Sequence, residues 1–80
     1  MQKRFTAHSV GLQRCRYGDE QGQEYFVVCP CWLVIDAMQP NDPAGEIYEV
    51  QAGSFELWTN GEMEEVASVD AAIDAMNAKA

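Results

Sequence analysis

The dipeptide Asn60-Gly61 constrains this chain more than any other feature. It sits between Phe55-Glu56-Leu57-Trp58-Thr59 and Glu62-Met63-Glu64-Glu65-Val66. A two-residue hairpin loop adopts a type I′ turn, which needs positive φ at both central residues, and Asn-Gly is the pair that best tolerates it. A loop this short sets the register. Thr59 faces Glu62, Trp58 faces Met63, Leu57 faces Glu64, Glu56 faces Glu65 and Phe55 faces Val66. Side chains alternate along a strand, so Phe55, Leu57 and Val66 share one side, expected to be the core side. Trp58, Met63, Glu56 and Glu65 share the other. Glu56 opposite Glu65 is a like-charge cross-strand pair, which is mildly destabilising.

The rest of the chain supplies further strands. Residues 4–17 hold Phe5, Thr6, Val10, Leu12 and Tyr17 without helical spacing and read as a strand bulged at Gly11. Residues 18–23 carry two glycines among polar residues and form a turn. Residues 24–35, EYFVVCPCWLVI, are almost wholly apolar. Alternation puts Phe26, Val28, Trp32 and Val34 on one face and Val27, Cys29, Cys31, Leu33 and Ile35 on the other, so this strand needs cover on both sides. Pro30 lacks an N–H and belongs at an edge, a bulge or a break. A competing reading begins a short helix at Pro30 and runs it to Met38, because proline is tolerated in a first helical turn. Valine and isoleucine favour the strand. Residues 39–45, with two prolines and Asn-Asp, read as a surface loop, and 46–52 as another strand.

The last element is helical. Ser68 is placed to cap it and Asp70 to complement the positive end of its dipole. Val69, Ala72, Ile73, Met76 and Ala80 recur at helical spacing, with Asp70, Asp74 and Asn77 off that stripe. Such a helix has about 12 residues and is roughly 18 Å long. Strands followed by one helix give an α+β class: an antiparallel sheet of four or five strands with a C-terminal amphipathic helix on one face. Eighty residues suffice for a single domain, 1–80. One helix ~10 Å wide covers only about half of one face of a sheet ~19 Å across. An apolar surface carrying Trp58, Met63 and one side of residues 26–34 is therefore expected to need a partner or a second copy in a homodimer.

Charge is segregated. Residues 1–16 carry Lys3, Arg4, Arg14 and Arg16 and no acid, a balance of +4, whereas residues 17–80 carry all 13 acids and only Lys79, a balance of −12. The net charge of −8 argues against direct nucleic-acid binding, which needs a basic surface. The four N-terminal cations, near Phe5 and Tyr17, are expected to serve as partners for carboxylates within the chain. No stretch is long and apolar enough for a membrane-spanning helix. The first eight residues have no apolar block behind their basic residues, so no secretion signal is expected and the expected location is cytoplasmic.

Catalytic motifs are absent. One histidine, His8, stands beside Ser9, which points to the opposite face of a strand. There is no G-x-S-x-G, H-E-x-x-H, phosphate loop or dinucleotide fingerprint. His8, Cys15, Cys29 and Cys31 are the soft metal ligands, but their spacing is not that of paired C-x₂₋₄-C zinc sites. Cys29-Pro30-Cys31 is similar to the Cys-Pro-Cys motif of the mitochondrial intermembrane-space oxidoreductases. That match covers three residues, and the twin C-x₉-C helices of the family are missing. Buried strand cysteines are therefore expected, with no metal and no cofactor. The expected function is that of a small, acidic, non-enzymatic interaction protein that docks on a basic, nucleic-acid-binding surface of a protein partner. In size and charge it resembles phage inhibitors of the anti-restriction and anti-CRISPR kind. The expected contact residues are Glu56, Trp58, Glu62, Glu64, Glu65, Asp70 and Asp74. The alternatives are an adaptor or subunit-like module that uses an uncovered apolar sheet face, and a thiol or zinc protein that uses Cys29 and Cys31.

Overall fold

The computed structural model describes residues 3–79, with the backbone alone at Tyr17. Met1, Gln2 and Ala80, the last position of the expected helical stripe, lie outside the described residues. Five strands are followed by one helix: β1 (Phe5–Gly18), β2 (Glu24–Asp36), β3 (Pro43–Gln51), β4 (Ser54–Thr59), β5 (Glu62–Val66) and α1 (Val69–Lys79). The strands form one antiparallel meander in the order β1-β2-β3-β4-β5. The helix packs on one face, as the α+β reading expects.

The β4–β5 hairpin has the register that Asn60-Gly61 dictates, from Phe55↔Val66 to Thr59↔Glu62. Asn60 has φ 52° and Gly61 φ 80°, the two positive values that a type I′ turn demands. The strand β1 is bulged between Ser9 and Gly11, with Gly11 at φ 80°. Residues 30–36 are strand, not helix, because their β-branched run is drawn into pairing on both sides. The β2–β3 ladder stops at Cys31↔Tyr48, and the next residue back along β2 is Pro30, which has no N–H to carry the ladder further. Beyond that point β1 and β2 continue as a two-stranded hairpin, paired as far as Gly18↔Glu24.

One expectation is corrected in the connection before β3. The strand begins at Pro43, so the loop is shorter than residues 39–45. Gly45 is pulled into the sheet because it has no Cβ: one built there would lie 2.7 Å from the Trp58 carbonyl oxygen and 2.9 Å from Thr59 Cγ2.

The core lies between the sheet and α1. Phe5, Val34, Ile47, Leu57, Ala72 and Ile73 are buried, and Trp32, Phe55, Val66, Val69 and Met76 pack around them. The rings of Trp32 and Phe55 meet tilted, 6.2 Å between centroids. The expected stripe of α1 is thus the face that is buried. Ser68 caps it, its Oγ accepting the Ala71 N–H at 3.0 Å.

Asn77, off that stripe, closes the edge of the sheet. Its Oδ1 accepts the Phe5 N–H at 2.9 Å and its Nδ2 donates to the Phe5 carbonyl at 3.1 Å. The side-chain amide thus stands in for a neighbouring strand and ties the end of the helix to β1. Asn77→Leu removes both bonds and strands a half-buried N–H, so thermal unfolding should show a loss of about 1–3 kcal/mol.

Asp36, paired with Phe5, locks the same open end of the first hairpin. Arg4 donates to it from Nε and from a terminal nitrogen, both at 3.0 Å, and the Met38 N–H donates at 2.9 Å. The Arg4 hydrogen bonds, then that of Met38, hold the Asp36 carboxyl below the usual aspartate range. A carboxyl depressed in the folded state contributes stability that is complete above its unfolded pKa of about 3.9. That stability is lost as pH falls through the lower folded value. The melting temperature of the native chain should fall more steeply below pH 4 than that of Asp36→Asn, which carries no ionisable group there.

The remaining N-terminal cations are also engaged within the chain. Arg16 pairs with Glu24, Lys3 lies 3.8 Å from Asp74, and the Arg14 guanidinium stacks 4.0 Å over the Phe26 ring. Among the described residues no helix is long and apolar enough to cross a membrane.

Candidate interaction surfaces

The register distributes the expected contact residues over two sides of the sheet. Glu62 and Glu64 stand opposite Thr59 and Leu57, on the side of the helix; Glu65 stands opposite Glu56, on the far side. Asp70 and Asp74 are exposed on α1. Trp58 shares the far side with Glu56, Glu65 and Met63, and its indole N–H donates to Glu56 Oε1 at 3.1 Å. Trp58 is therefore brought together with Glu56 and Glu65, and not with Glu62, Glu64, Asp70 or Asp74. Glu64 lies 3.9 Å from Lys79, and Asp74 is the partner of Lys3. These contacts are exposed and long, so each is worth little. The strand β5 is the short edge of the sheet, and its glutamates flank that edge on both sides. Charge on a short edge strand also discourages pairing with another chain.

The far side is not bare. Cys29 and Cys31 are 1% and 2% exposed although they face away from the helix. Cys15 of the first hairpin lies against Cys29, and Tyr48 and Glu46 of β3 lie beside Cys31. Arg14, Cys15, Arg16 and Gly18 of that hairpin face Pro43–Glu46, Tyr48, Trp58 and Asn60-Gly61 across an open groove of about 750 Å³. Cys15, half-buried, lines that groove. Its sulfur lies 3.3 Å from that of Cys29. Burial, and then contact with Cys29, push the Cys15 thiol up to about 12. Burial also raises Cys31, and it raises Tyr48, whose hydroxyl donates to Glu46. These are neutral groups at ordinary pH, not activated nucleophiles. His8 bonds Thr6 Oγ1 at 2.9 Å on the exposed side of β1, while Ser9 Oγ accepts from the Gly11 N–H, so the two are not coupled. Among the described residues no three His, Cys, Asp or Glu side chains converge to hold a metal ion.

The surface that sequence reasoning missed is the outer face of the first hairpin. Leu12, Val28 and Phe26 are 66%, 62% and 56% exposed. The register puts them on one face with Arg14 and Arg16: Leu12↔Pro30, Arg14↔Val28, Arg16↔Phe26. It is the same face that carries Trp32 and Val34, continued beyond the reach of α1. The signal was available in part, since one short helix cannot cover a strand of 13 residues. The total accessible surface is 5753 Å². A compact monomer of 8.9 kDa exposes about 4,800 Å². The radius of gyration of 13.2 Å likewise exceeds the ~11.6 Å of a compact 80-residue chain.

No protein-family model matches the chain, and neither a curated protein nor a solved structure shows significant similarity to it.

Proposed function

We propose that this chain is a non-enzymatic interaction module that docks on another protein through the outer face of its first hairpin. The observation that carries this reading is the row Leu12, Val28 and Phe26, each more than half exposed on one face. The accessible surface exceeds that of a compact monomer by about 900 Å². The charges on that face are Arg14, laid over Phe26, and Arg16, which is paired with Glu24. The complementary partner is an apolar strip flanked by carboxylates, on an adaptor's client, a larger assembly or a second copy of this chain. The test compares capture of interaction partners by the native chain with capture by Leu12→Glu/Val28→Glu. Both residues are exposed, so the variant should keep its fold, and capture should fall by tenfold or more. Unchanged capture rejects the reading. Sedimentation at high micromolar concentration identifies the homodimer form.

A second reading rests on a different observation, the carboxylates on both sides of β5 and along α1. In it the chain is an inhibitor that docks on a basic, nucleic-acid-binding surface of its partner, of the anti-restriction or anti-CRISPR kind. Glu56, Glu62, Glu64, Glu65, Asp70 and Asp74 take the place of phosphates and Trp58 is the anchor. Charge reversal at Glu62, Glu64, Glu65, Asp70 and Asp74 should then abolish capture. Binding should also weaken steeply with salt, whereas an apolar contact does not.

A further inference from the structure

The three thiols are not equivalent. Cys29 and Cys31 are two apart on one strand, a poor geometry for bonding to each other. Cys15 comes from the neighbouring strand, and its sulfur sits 3.3 Å from Cys29 Sγ, already in contact. The register explains the approach: Gln13 pairs with Cys29 and Cys15 with Val27, so the two cysteines are diagonal neighbours on one face of the hairpin. Closing to a disulfide bond of ~2.05 Å brings the two sulfurs about 1.3 Å nearer. Cys15 also borders the groove, so an external reagent reaches it, whereas Cys29 is sealed behind it.

We propose that Cys15 and Cys29 form a reversible redox site, oxidised to an intrachain disulfide by a low-molecular-weight disulfide such as oxidised glutathione. At mildly alkaline pH the small thiolate fraction of Cys15 attacks one sulfur of the reagent, forms a mixed disulfide and expels one glutathione thiolate. The Cys29 thiolate then attacks Cys15 Sγ, forms the protein disulfide and expels the second. Two cysteines are oxidised, one reagent disulfide is reduced, and the two protein protons pass to the departing thiolates through solvent. The product links β1 to β2 within the hairpin that carries the exposed row, and takes the Cys15 thiol out of the groove. Cys31 has no part in it.

The experiment treats the reduced, folded chain with oxidised glutathione at mildly alkaline pH, quenches with acid, alkylates the remaining thiols and measures intact mass and the fragmentation spectra of the tryptic peptides, which tell Cys29 from Cys31 within their shared peptide. Trypsin cuts after Arg14 and Arg16, so the expected product is Cys15-Arg16 disulfide-linked to the peptide that begins at Tyr17, with Cys31 alkylated. Dithiothreitol should return all three thiols. Cys31→Ser should oxidise at a rate within about twofold of the native chain, and Cys15→Ser should stop at an unlinked product. A persistent glutathione adduct on Cys15, a Cys29–Cys31 linkage, or three alkylated thiols after the native chain has been exposed to the reagent would each overturn the proposal. The native-chain mapping decides the matter even if a serine variant folds poorly.

Discussion

Ile47→Ala should remove a large part of the stability of this domain. Ile47 is fully buried on β3, the central strand, with Trp32 paired to it on one side and Leu57 on the other. The helix closes over this side of the sheet through Ala72 and Ile73. Truncation deletes buried methyl and methylene groups and leaves a cavity that two flanking strands cannot collapse into without breaking their ladders. The cost is about 2–5 kcal/mol. A domain of this size has about 4–12 kcal/mol in total. At roughly 4–8 °C per kcal/mol, the melting temperature should fall by about eight degrees or more. Urea unfolding followed by far-ultraviolet circular dichroism measures it, with exposed Met38→Ala as a control expected within about 0.5 kcal/mol of the native chain. A loss below 1 kcal/mol for Ile47→Ala would mean that the core is not centred on β3.

Gly45→Ala should be the second most damaging change, for the opposite reason. Nothing is removed; a methyl group is added where there is no room. Its carbon would meet the Trp58 carbonyl oxygen at 2.7 Å, a contact with backbone that no rotamer change relieves. Either the β3–β4 ladder opens near Glu46↔Trp58 or the start of β3 moves outward. Overpacking of this kind costs about 1–3 kcal/mol. Because Trp58 is displaced, its fluorescence should change along with stability, and so should the groove that it lines. A variant as stable as the native chain with an unchanged tryptophan spectrum would show that the strands part there at no cost.

The two changes probe different information. The importance of Gly45 was invisible in the sequence, where it sits among prolines, Asn41 and Asp42 and reads as loop. Its role comes from a strand more than a dozen residues later. Ile47 shares its strand face with Glu49 and Gln51, and the other face holds Tyr48 and Val50, so its inward direction was not readable from the run. Nor was its position on the central strand, with a pairing partner on each side.

Local chemistry was enough for much of the fold. Asn60-Gly61 determined a turn, a register and the face of every side chain from Phe55 to Val66, because a two-residue loop leaves no freedom to slip. Ser68 and the apolar stripe determined α1 in the same way. The alternation of residues 24–35 separated Phe26 and Val28 from Cys29 and Cys31 before any neighbour was known. These are short-range rules, in which the residues that decide are within a few positions of those decided.

Tertiary structure alone decided how much of each face is covered. Alternation says which side chains share a face, but burial depends on what crosses that face from elsewhere in the chain. The helix ends short of Leu12, Val28 and Phe26, which stay exposed, while Cys29 and Cys31 are buried on the side that no helix reaches, beside Cys15, Tyr48 and Glu46. The acids expected to act together with Trp58 were close in sequence, yet the strand period of two placed Glu62 and Glu64 on one side and Glu65 with Trp58 on the other. In the thiols, proximity along the chain pointed to Cys29 and Cys31, whereas cross-strand pairing brought Cys15 to Cys29. A strand carries adjacent same-face residues apart along its axis, and the sheet brings distant ones together across it.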